Sequence, residues 1–222
     1  MKRLIGPFLL SLFMFVVLMS LGFWQVARLH WKEGLLADIA AATANPPIPL
    51  GASPRAFTKV FVTGRWDPAH AALYGTDVRN DKLGAFMIEP LLRADGPPIL
   101  VDRGFVPDGA GKLQDPIGSV TVVGYIREPE YLHWWGIKDD LAERHFYTLN
   151  PQVIAAELGF PAPQSYTLVA MGNATTYPEP AHAFPDLPNN HLSYTITWFS
   201  LALVNVVIFL LSSRKRLLER SV

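Results

Sequence analysis

The chain contains no cysteine, so it can form no disulfide bond and offers no thiolate as a nucleophile or metal ligand. The common catalytic signatures CxxC, HExxH, GxSxG and GxGxxG are also absent. Gly109–Lys112 has glycines typical of a phosphate loop, but Leu113 replaces the Ser or Thr that binds magnesium, so we interpret it as a surface turn. The five methionines form no cluster, which disfavours a carrier of soft Cu(I). We therefore expect that the protein is not an enzyme.

Charge is scarce and balanced overall, with 19 Lys and Arg against 19 Asp and Glu in 222 residues. Between Lys32 and Asp186, however, 12 basic residues stand against 18 acidic ones, which gives this part of the chain a net charge of −6. Proteins that bind nucleic acid usually carry basic faces. We therefore expect no nucleic-acid partner.

Two long apolar runs contain no charged residue, one from Leu4 to Trp24 and one from Leu192 to Leu211. Each is close to the ~20 residues that cross ~30 Å of hydrocarbon, so both are predicted transmembrane helices in contact with membrane lipid. A cleaved secretory signal is the alternative for the first run, because Lys2 and Arg3 precede it. We favour an uncleaved anchor, because the run is longer than a signal's apolar region and ends in Gly22, Phe23, Trp24 and Gln25 rather than in a small-residue cleavage site.

Basic residues near the ends of the runs predict the orientation in the membrane, since Lys and Arg prefer the cytoplasmic side. Four of them follow the second run: Arg214, Lys215, Arg216 and Arg220. Lys2 and Arg3 agree with them, although Arg28 and Lys32 beyond the first run weaken the contrast. We expect both termini in the cytoplasm and the central part of the chain outside it.

These features divide the chain into seven segments. We predict a cytoplasmic N-terminus at 1–3, a first transmembrane helix at 4–24, a helical extension at 25–44, a β-rich extracytoplasmic domain at 45–174, a linker at 175–190, a second transmembrane helix at 191–211 and a cytoplasmic basic tail at 212–222.

Short runs of β-branched and aromatic residues in the central part predict strands near 59–63, 85–92, 99–102, 120–126, 146–149 and 166–171. One short helix is marked by Asn150 as N-cap, Pro151 in the first turn and Gly159 after the end. The predicted fold is a small barrel or sandwich with one or two short helices. VFVTG at 60–64 and VTVVG at 120–124 are similar, and we expect each Gly to mark a bulge or a close backbone approach.

No two of the six histidines have a metal-site spacing. We interpret five histidines as surface or hydrogen-bonded residues: His30, His70, His133, His145 and His182. The adjacent Asp139 and Asp140 point in different directions in a helix or strand, so we interpret them as capping or loop residues rather than as an acid and base pair.

His191 differs because it opens the second apolar run and polar residues follow it at helical spacing. Trp198 and Asn205 stand at steps of seven, and Tyr194 and Thr195 at i+3 and i+4, so we place all four on its helix face. A polar stripe that enters a membrane needs a partner other than lipid. In the alternative interpretation, Tyr194 and Trp198 are interfacial aromatics and Asn205 packs against the first helix.

Trp24, Arg28 and Lys32 form an aromatic and basic stripe at i+4 steps, at the depth of His191 if the two helices pair. A slot between the helices would then offer an imidazole ligand and a guanidinium that pairs with carboxylates. Haem, an amphiphilic planar cofactor with carboxylates and a metal, fits that description. Snorkelling of the two basic side chains explains Arg28 and Lys32 equally well.

Ordered motifs along nearly the whole chain resemble the Surfeit locus protein one family, membrane-bound assembly factors of haem-copper terminal oxidases. They are LGFWQVARLHWK at 21–32, VFVTGRW at 60–66, ILVDRGFVP at 99–107, VTVVGYIREPE at 120–130 and NNHLSYTITWF at 189–199. The resemblance implies a bacterial cytoplasmic-membrane protein with a periplasmic central domain, which assists haem a insertion into the large catalytic oxidase subunit.

The residues that we expect to bind the cofactor are His191, Arg28, Trp24, Gln25, Tyr194 and Trp198. The resemblance implies that His191 is the histidine linked to haem binding, hence our candidate ligand of the haem iron, and that Gln25 belongs to a motif of the first span. Arg103 and Gly104 match the family's RG motif, to which we assign no role, and Phe105 departs from the more usual Trp after it.

The expected cofactor is haem a, held transiently, with haem o as the alternative if the client is a quinol oxidase. The expected partners are the large subunit of the oxidase and, as a second partner, haem a synthase. A different hypothesis keeps the assembly role but makes the protein a scaffold that stabilises an oxidase intermediate without binding haem.

Overall fold

The computed structural model describes residues 2–111, 113, 116–173 and 176–218, which leaves Lys112, Thr175 and Arg220 outside the described part. Three helices are α1 (Lys2–Ala44), α2 (Pro151–Leu158) and α3 (His191–Leu218). The strands are β1 (Ile48–Pro49), β2 (Lys59–Trp66), β3 (Ala72–Arg79), β4 (Lys82–Leu92), β5 (Ile99–Pro107), β6 (Ser119–Arg127), β7 (His145–Phe146) and β8 (Thr167–Ala170). The chain divides into a helical unit made from its two ends, up to Asp38 and from Asp186, and a β-rich unit formed by Ile39–Pro185.

The two terminal helices each contain a stretch long and apolar enough to cross a membrane, as predicted. α1 continues through the predicted extension and ends at Ala44, just before Pro46 and Pro47 stop it. α3 begins at His191 as predicted but runs on past Leu211, because no Gly or Pro follows in its sequence. The boundary placed at residue 211 marks the end of the apolar run and lies inside α3.

α1 and α3 pack against each other as an antiparallel pair, since residue 11 contacts residue 205 and residue 25 contacts residue 191. The more buried positions recur in alternating steps of four and three, at 11, 15, 18, 22, 25 and 29 of α1 and at 191, 195, 198, 202, 205 and 209 of α3. A spacing that averages 3.5 residues is the pattern of a coiled-coil seam. We call this row of positions the interhelical seam.

A glycine permits close packing in the middle of the seam. A Cβ atom on Gly22 would lie 2.4 Å from the ring of Phe199, which packs edge-on against Phe23. Small residues serve this purpose in membrane helix pairs, where van der Waals packing replaces the hydrophobic effect as a driving force.

The β-rich unit is built on a closed five-stranded barrel in the order β2, β6, β8, β5 and β4. It closes where β2 pairs with β4, through Arg65 with Leu92 and Trp66 with Leu91. β3 and β7 continue the sheet beyond β4, and β1 adds to β2. Of the two predicted alternatives, the structure is thus the barrel, whose closure leaves no free edges among its five strands.

The two similar VxVxG-type segments pair with each other, Val60 opposite Gly124 and Gly64 opposite Val120. A Cβ atom on Gly64 would lie 2.5 Å from a backbone oxygen of Leu92, and one on Gly124 would lie 2.2 Å from that of Val169. The predicted reason for these glycines, a close backbone approach, is confirmed.

All six predicted strands exist, with shifted ends, but β1 and β3 were missed. β3 was missed because a register shift between Tyr74 and Asp77, at Gly75, interrupts its alternation of inward-facing and outward-facing side chains. α2 begins and ends as predicted: the Asn150 side chain accepts hydrogen bonds from two amides of the first turn, and Gly159 adopts the left-handed conformation. One apolar core fills the barrel, and a second core packs β3, β4 and β5 against α2.

Candidate functional site

The helical unit brings His191 and Gln25 together across the seam. His191 is the first residue of α3, and its Nδ1 lies 2.7 Å from Oε1 of Gln25. Gln25 is only 8% exposed. Since an amide oxygen only accepts hydrogen bonds, the imidazole donates from Nδ1 and keeps the lone pair of Nε2.

The polar stripe of α3 lies in the seam with one exception. Thr195 is buried, and its hydroxyl donates to the carbonyl of His191 at 2.9 Å. Trp198 has a buried Nε1 with no hydrogen-bond partner among the described residues. Asn205 donates to the carbonyl of Ser11 at 2.9 Å, as the packing alternative predicted.

Tyr194 is the exception, because its side chain is 54% exposed. Tyr194 lies beside the seam and not in it, because from His191 the seam advances by four residues to Thr195. The sequence pattern could not distinguish these two neighbours, because both lie within one turn on the same side of the helix.

The predicted stripe on α1 also lies outside the seam. Trp24 and Arg28 are exposed, and the guanidinium of Arg28 lies 4.4 Å from the ring centroid of Trp31. Lys32 is half-buried. Of the expected cofactor-binding residues, the structure therefore joins His191 and Gln25 directly and leaves Trp24 and Arg28 on an exposed flank of α1.

The side chains of His191 and Arg28 are chemically suited to a haem group, because they offer one imidazole nitrogen and one guanidinium. No group of three or more His, Cys, Asp or Glu side chains that could hold a metal ion occurs in the part of the chain that the structure describes. A single imidazole with its Nδ1 proton held by a neighbour suits a metal that carries its own macrocyclic ligands. Arg28 forms no ion pair with any described residue and is available to carboxylates.

The RG motif has a structural explanation within the barrel. Arg103 is the extra residue of a β-bulge between β4 and β5, forms a buried ion pair with Glu89 and lies 4.6 Å over the ring of Trp66. Gly104 has a φ of +121°, and a Cβ atom there would lie 1.9 Å from the backbone oxygen of Glu179. The bulge thus directs the Arg103 side chain toward Glu89. The missing side chain at Gly104 leaves room for the backbone of Glu179.

A cluster of polar residues beside this bulge was not identified from the sequence. Burial raises the pKa of Asp102 to about 6, although its Oδ1 accepts a hydrogen bond from the Gly104 amide. Arg127 forms an ion pair with Glu130, and both bond to the hydroxyl of Tyr74. Burial raises the pKa of Tyr74 to about 12. The two adjacent charged residues inside the apolar run ILVDRGF, Asp102 and Arg103, are the signal that could have located the cluster.

The remaining candidates have local structural roles. Five histidines each contact a protein neighbour: His30 with Glu33, His70 with Asp67, His133 with Trp135, His145 with the Gly75 carbonyl and His182 with the Gly172 carbonyl. Asp140 accepts hydrogen bonds from two amides of the following turn, and Asp139 accepts one from Tyr147. These contacts agree with the structural interpretation of both groups.

Comparison with known proteins identifies the family. The family model described as the SURF1 family matches residues 12–203. A SURF1-like protein of Rickettsia conorii is 27% identical over 216 residues, covering 90% of this chain and 88% of the relative. Surfeit locus protein 1 of Xenopus tropicalis is 29% identical, with 84% and 69% covered, and that of Mus musculus is 28% identical, with 82% and 67% covered. The resemblance seen in the sequence is confirmed, and the chain belongs to the SURF1 family, known in general for cytochrome oxidase assembly factors.

Proposed function

We propose that this protein assists the assembly of a haem-copper oxidase by holding haem a transiently and passing it to the large catalytic subunit. The observation that carries the proposal is the hydrogen bond between His191 and Gln25, which leaves Nε2 of the imidazole as a free metal-binding atom. In this role the protein acts as a carrier and not as an enzyme.

The side chains around His191 have separate roles in the proposed binding of haem. Gln25 fixes the tautomer and orientation of the ring, which a metal-ligating histidine requires. His191 would hold the iron of haem a through Nε2, and the haem would supply the redox-active metal that is to be delivered. The unpartnered Trp198 Nε1 offers a hydrogen-bond donor in the seam, and Arg28 offers a guanidinium for propionate groups. Trp24 and Tyr194 supply exposed aromatic surface on the two helices.

We further propose that the helical pair lies in the cytoplasmic membrane of a bacterium with both termini in the cytoplasm and the barrel in the periplasm. Arg214, Lys215 and Arg216 near the end of α3 support this orientation through the preference of basic residues for the cytoplasmic side. The first helix remains attached as an anchor in this arrangement. N-terminal sequencing of the mature protein tests it, and a chain starting near residue 27 would contradict it.

The partners proposed on this basis are the large oxidase subunit, which receives haem, and haem a synthase, which supplies it. A carrier must release its cargo, so only one protein ligand to the iron is consistent with modest affinity. The haem type follows from the client: haem o would replace haem a if the client is a quinol oxidase.

The test is the haem content of the full-length protein purified from cells that make haem a. We expect His191→Ala to lose the visible haem spectrum and Gln25→Leu to weaken binding with a shifted spectrum, because the ring is then free to rotate. His30→Ala is the matched control, since it removes another histidine of the same helical unit, on the exposed side of α1. Unchanged haem content in His191→Ala would refute the ligand assignment.

One observation favours the second candidate function, a scaffold that stabilises an oxidase intermediate without binding haem. His191 and Gln25 satisfy each other across the seam, as polar pairs do that hold membrane helices together. Co-purification with oxidase subunits from cells unable to make haem would support this function. A deletion strain with a fully loaded, active oxidase would refute both functions.

A further inference from the structure

The β-rich unit carries an exposed aromatic loop that the proposed haem site does not use. The loop follows β6 and spans residues 131–137, with the sequence YLHWWGI. Its large side chains are exposed, Trp134 to 91%, and the others are Tyr131, Leu132, Trp135 and Ile137. Soluble surfaces rarely expose such a contiguous group of large apolar side chains, and one that does marks an interaction site.

The base of the loop is fixed on both sides. The amide of Glu130 donates to the carbonyl of Leu149 at 2.9 Å, and the amide of Tyr147 donates to Oδ1 of Asp139 at 2.6 Å. These bonds hold the loop against the segment that leads to α2. The aromatic side chains are therefore presented by a fixed base.

The tip of the loop is a tight turn closed by the amide of Gly136, which donates to the carbonyl of His133 at 2.8 Å. Trp134 and Trp135 occupy the two central positions of this turn. The ring of Trp135 stacks on His133 at 4.9 Å and meets Trp134 edge-on at 5.1 Å. Both indoles at the centre of this turn are exposed, and the remaining loop residues line a cavity together with Tyr147 and Thr148.

The composition of the tip matches the interfacial layer of a lipid bilayer. Trp and Tyr concentrate at membrane interfaces, because each combines an apolar ring with a polar group. The same chain carries two helices able to span a membrane, so once they lie in a bilayer this domain is held close to it at high effective concentration. The flanking stretches 127–130 and 138–140 hold four acidic and two basic residues, a net charge of −2, which argues against attraction by anionic lipid.

We propose that the loop at 131–137 inserts its tryptophans into the interfacial layer of the bilayer that the chain's own helices span. The driving force is the partition of the indole and phenol rings, so a zwitterionic lipid surface suffices. The inference does not depend on haem binding, but it rests on the proposed placement of the two helices in a membrane.

The absence of cysteine permits a direct test with single-cysteine variants of the full chain. Ile137→Cys and Val78→Cys, both at exposed positions, carry a nitroxide label in protein reconstituted into phosphatidylcholine vesicles. Accessibility to oxygen, which concentrates in lipid, and to a water-soluble nickel complex is measured by electron paramagnetic resonance. We expect the label at 137 to gain oxygen accessibility and lose nickel accessibility relative to the label at 78 on β3.

Two further arms distinguish insertion of the indoles into lipid from attraction by charged headgroups and from burial against a partner protein. Replacing Trp134 and Trp135 with Ala in the Ile137→Cys chain should abolish the difference, with an unchanged circular dichroism spectrum as the check on folding. Adding anionic lipid should leave the difference unchanged. Equal nickel accessibility at 137 and 78 overturns the proposal, and so does protection of the label that appears only when the oxidase large subunit is added.

Discussion

Gly104 is the position in the barrel where one added methyl group should cause the greatest local damage. Its φ of +121° is one that residues with a Cβ rarely adopt, and such strain costs about 1–3 kcal/mol. The Cβ atom would also lie 1.9 Å from the backbone oxygen of Glu179. Because that neighbour is backbone and not a flexible side chain, the two segments must separate.

The energetic cost of separation can be worked from two hydrogen bonds. The amide of Phe105 donates to the Glu179 carbonyl at 2.9 Å, and the amide of Glu179 donates back to Phe105 at 2.9 Å. Each contributes about 1 kcal/mol. With the strain added, we expect Gly104→Ala to destabilise this part of the barrel by about 3–5 kcal/mol.

Hydrogen exchange of the full chain measures this effect at the affected amides. A loss of about 3 kcal/mol corresponds to roughly 100-fold faster exchange at Phe105 and Glu179, since 1.4 kcal/mol is a factor of ten. Gly109→Ala is the matched control, because Gly109 also has positive φ, +69°, but nothing lies within 4 Å of its added Cβ atom. Equal exchange rates at these two amides in the two variants would refute the argument from close approach.

Two more predictions concern pH and the seam. The raised pKa of Asp102, about 6 against an ordinary 3.8, means that the folded protein holds a proton which the unfolded chain releases at lower pH. Stability should therefore fall as the pH rises from about 4 to about 6, by up to about 3 kcal/mol, and Asp102→Asn should remove this dependence in unfolding experiments at a series of pH values. Gly22→Ile should push the helices apart and lower the disulfide yield of a Gln25→Cys/His191→Cys pair, whereas Gly6→Ile, with open space around it, should not. An unchanged pH profile in the first case, or an unchanged yield in the second, would contradict the respective argument.

The sequence predicted the candidate site only in part, because the position of the partner helix decides which residues of a helix face are buried. Counting residues placed His191, Trp198 and Asn205 on one face, and the structure agrees. It could not decide between Tyr194 and Thr195, since the choice depends on where α1 lies. Nor could it join His191 to Gln25, because those residues are 166 positions apart and no local pattern relates them.

Features that arise from local physics follow from the amino-acid sequence without the rest of the fold. Two uninterrupted apolar runs set the terminal helices, proline residues end α1, and an Asn cap with a following Gly bounds α2. The tertiary structure alone decided the closure of the barrel by β2 and β4, the bulge that places Arg103 beside Glu89, and the burial of Asp102. Strand alternation is the same in a barrel and a sandwich, and the burial of a charge depends on distant segments, so neither could be derived from neighbouring residues.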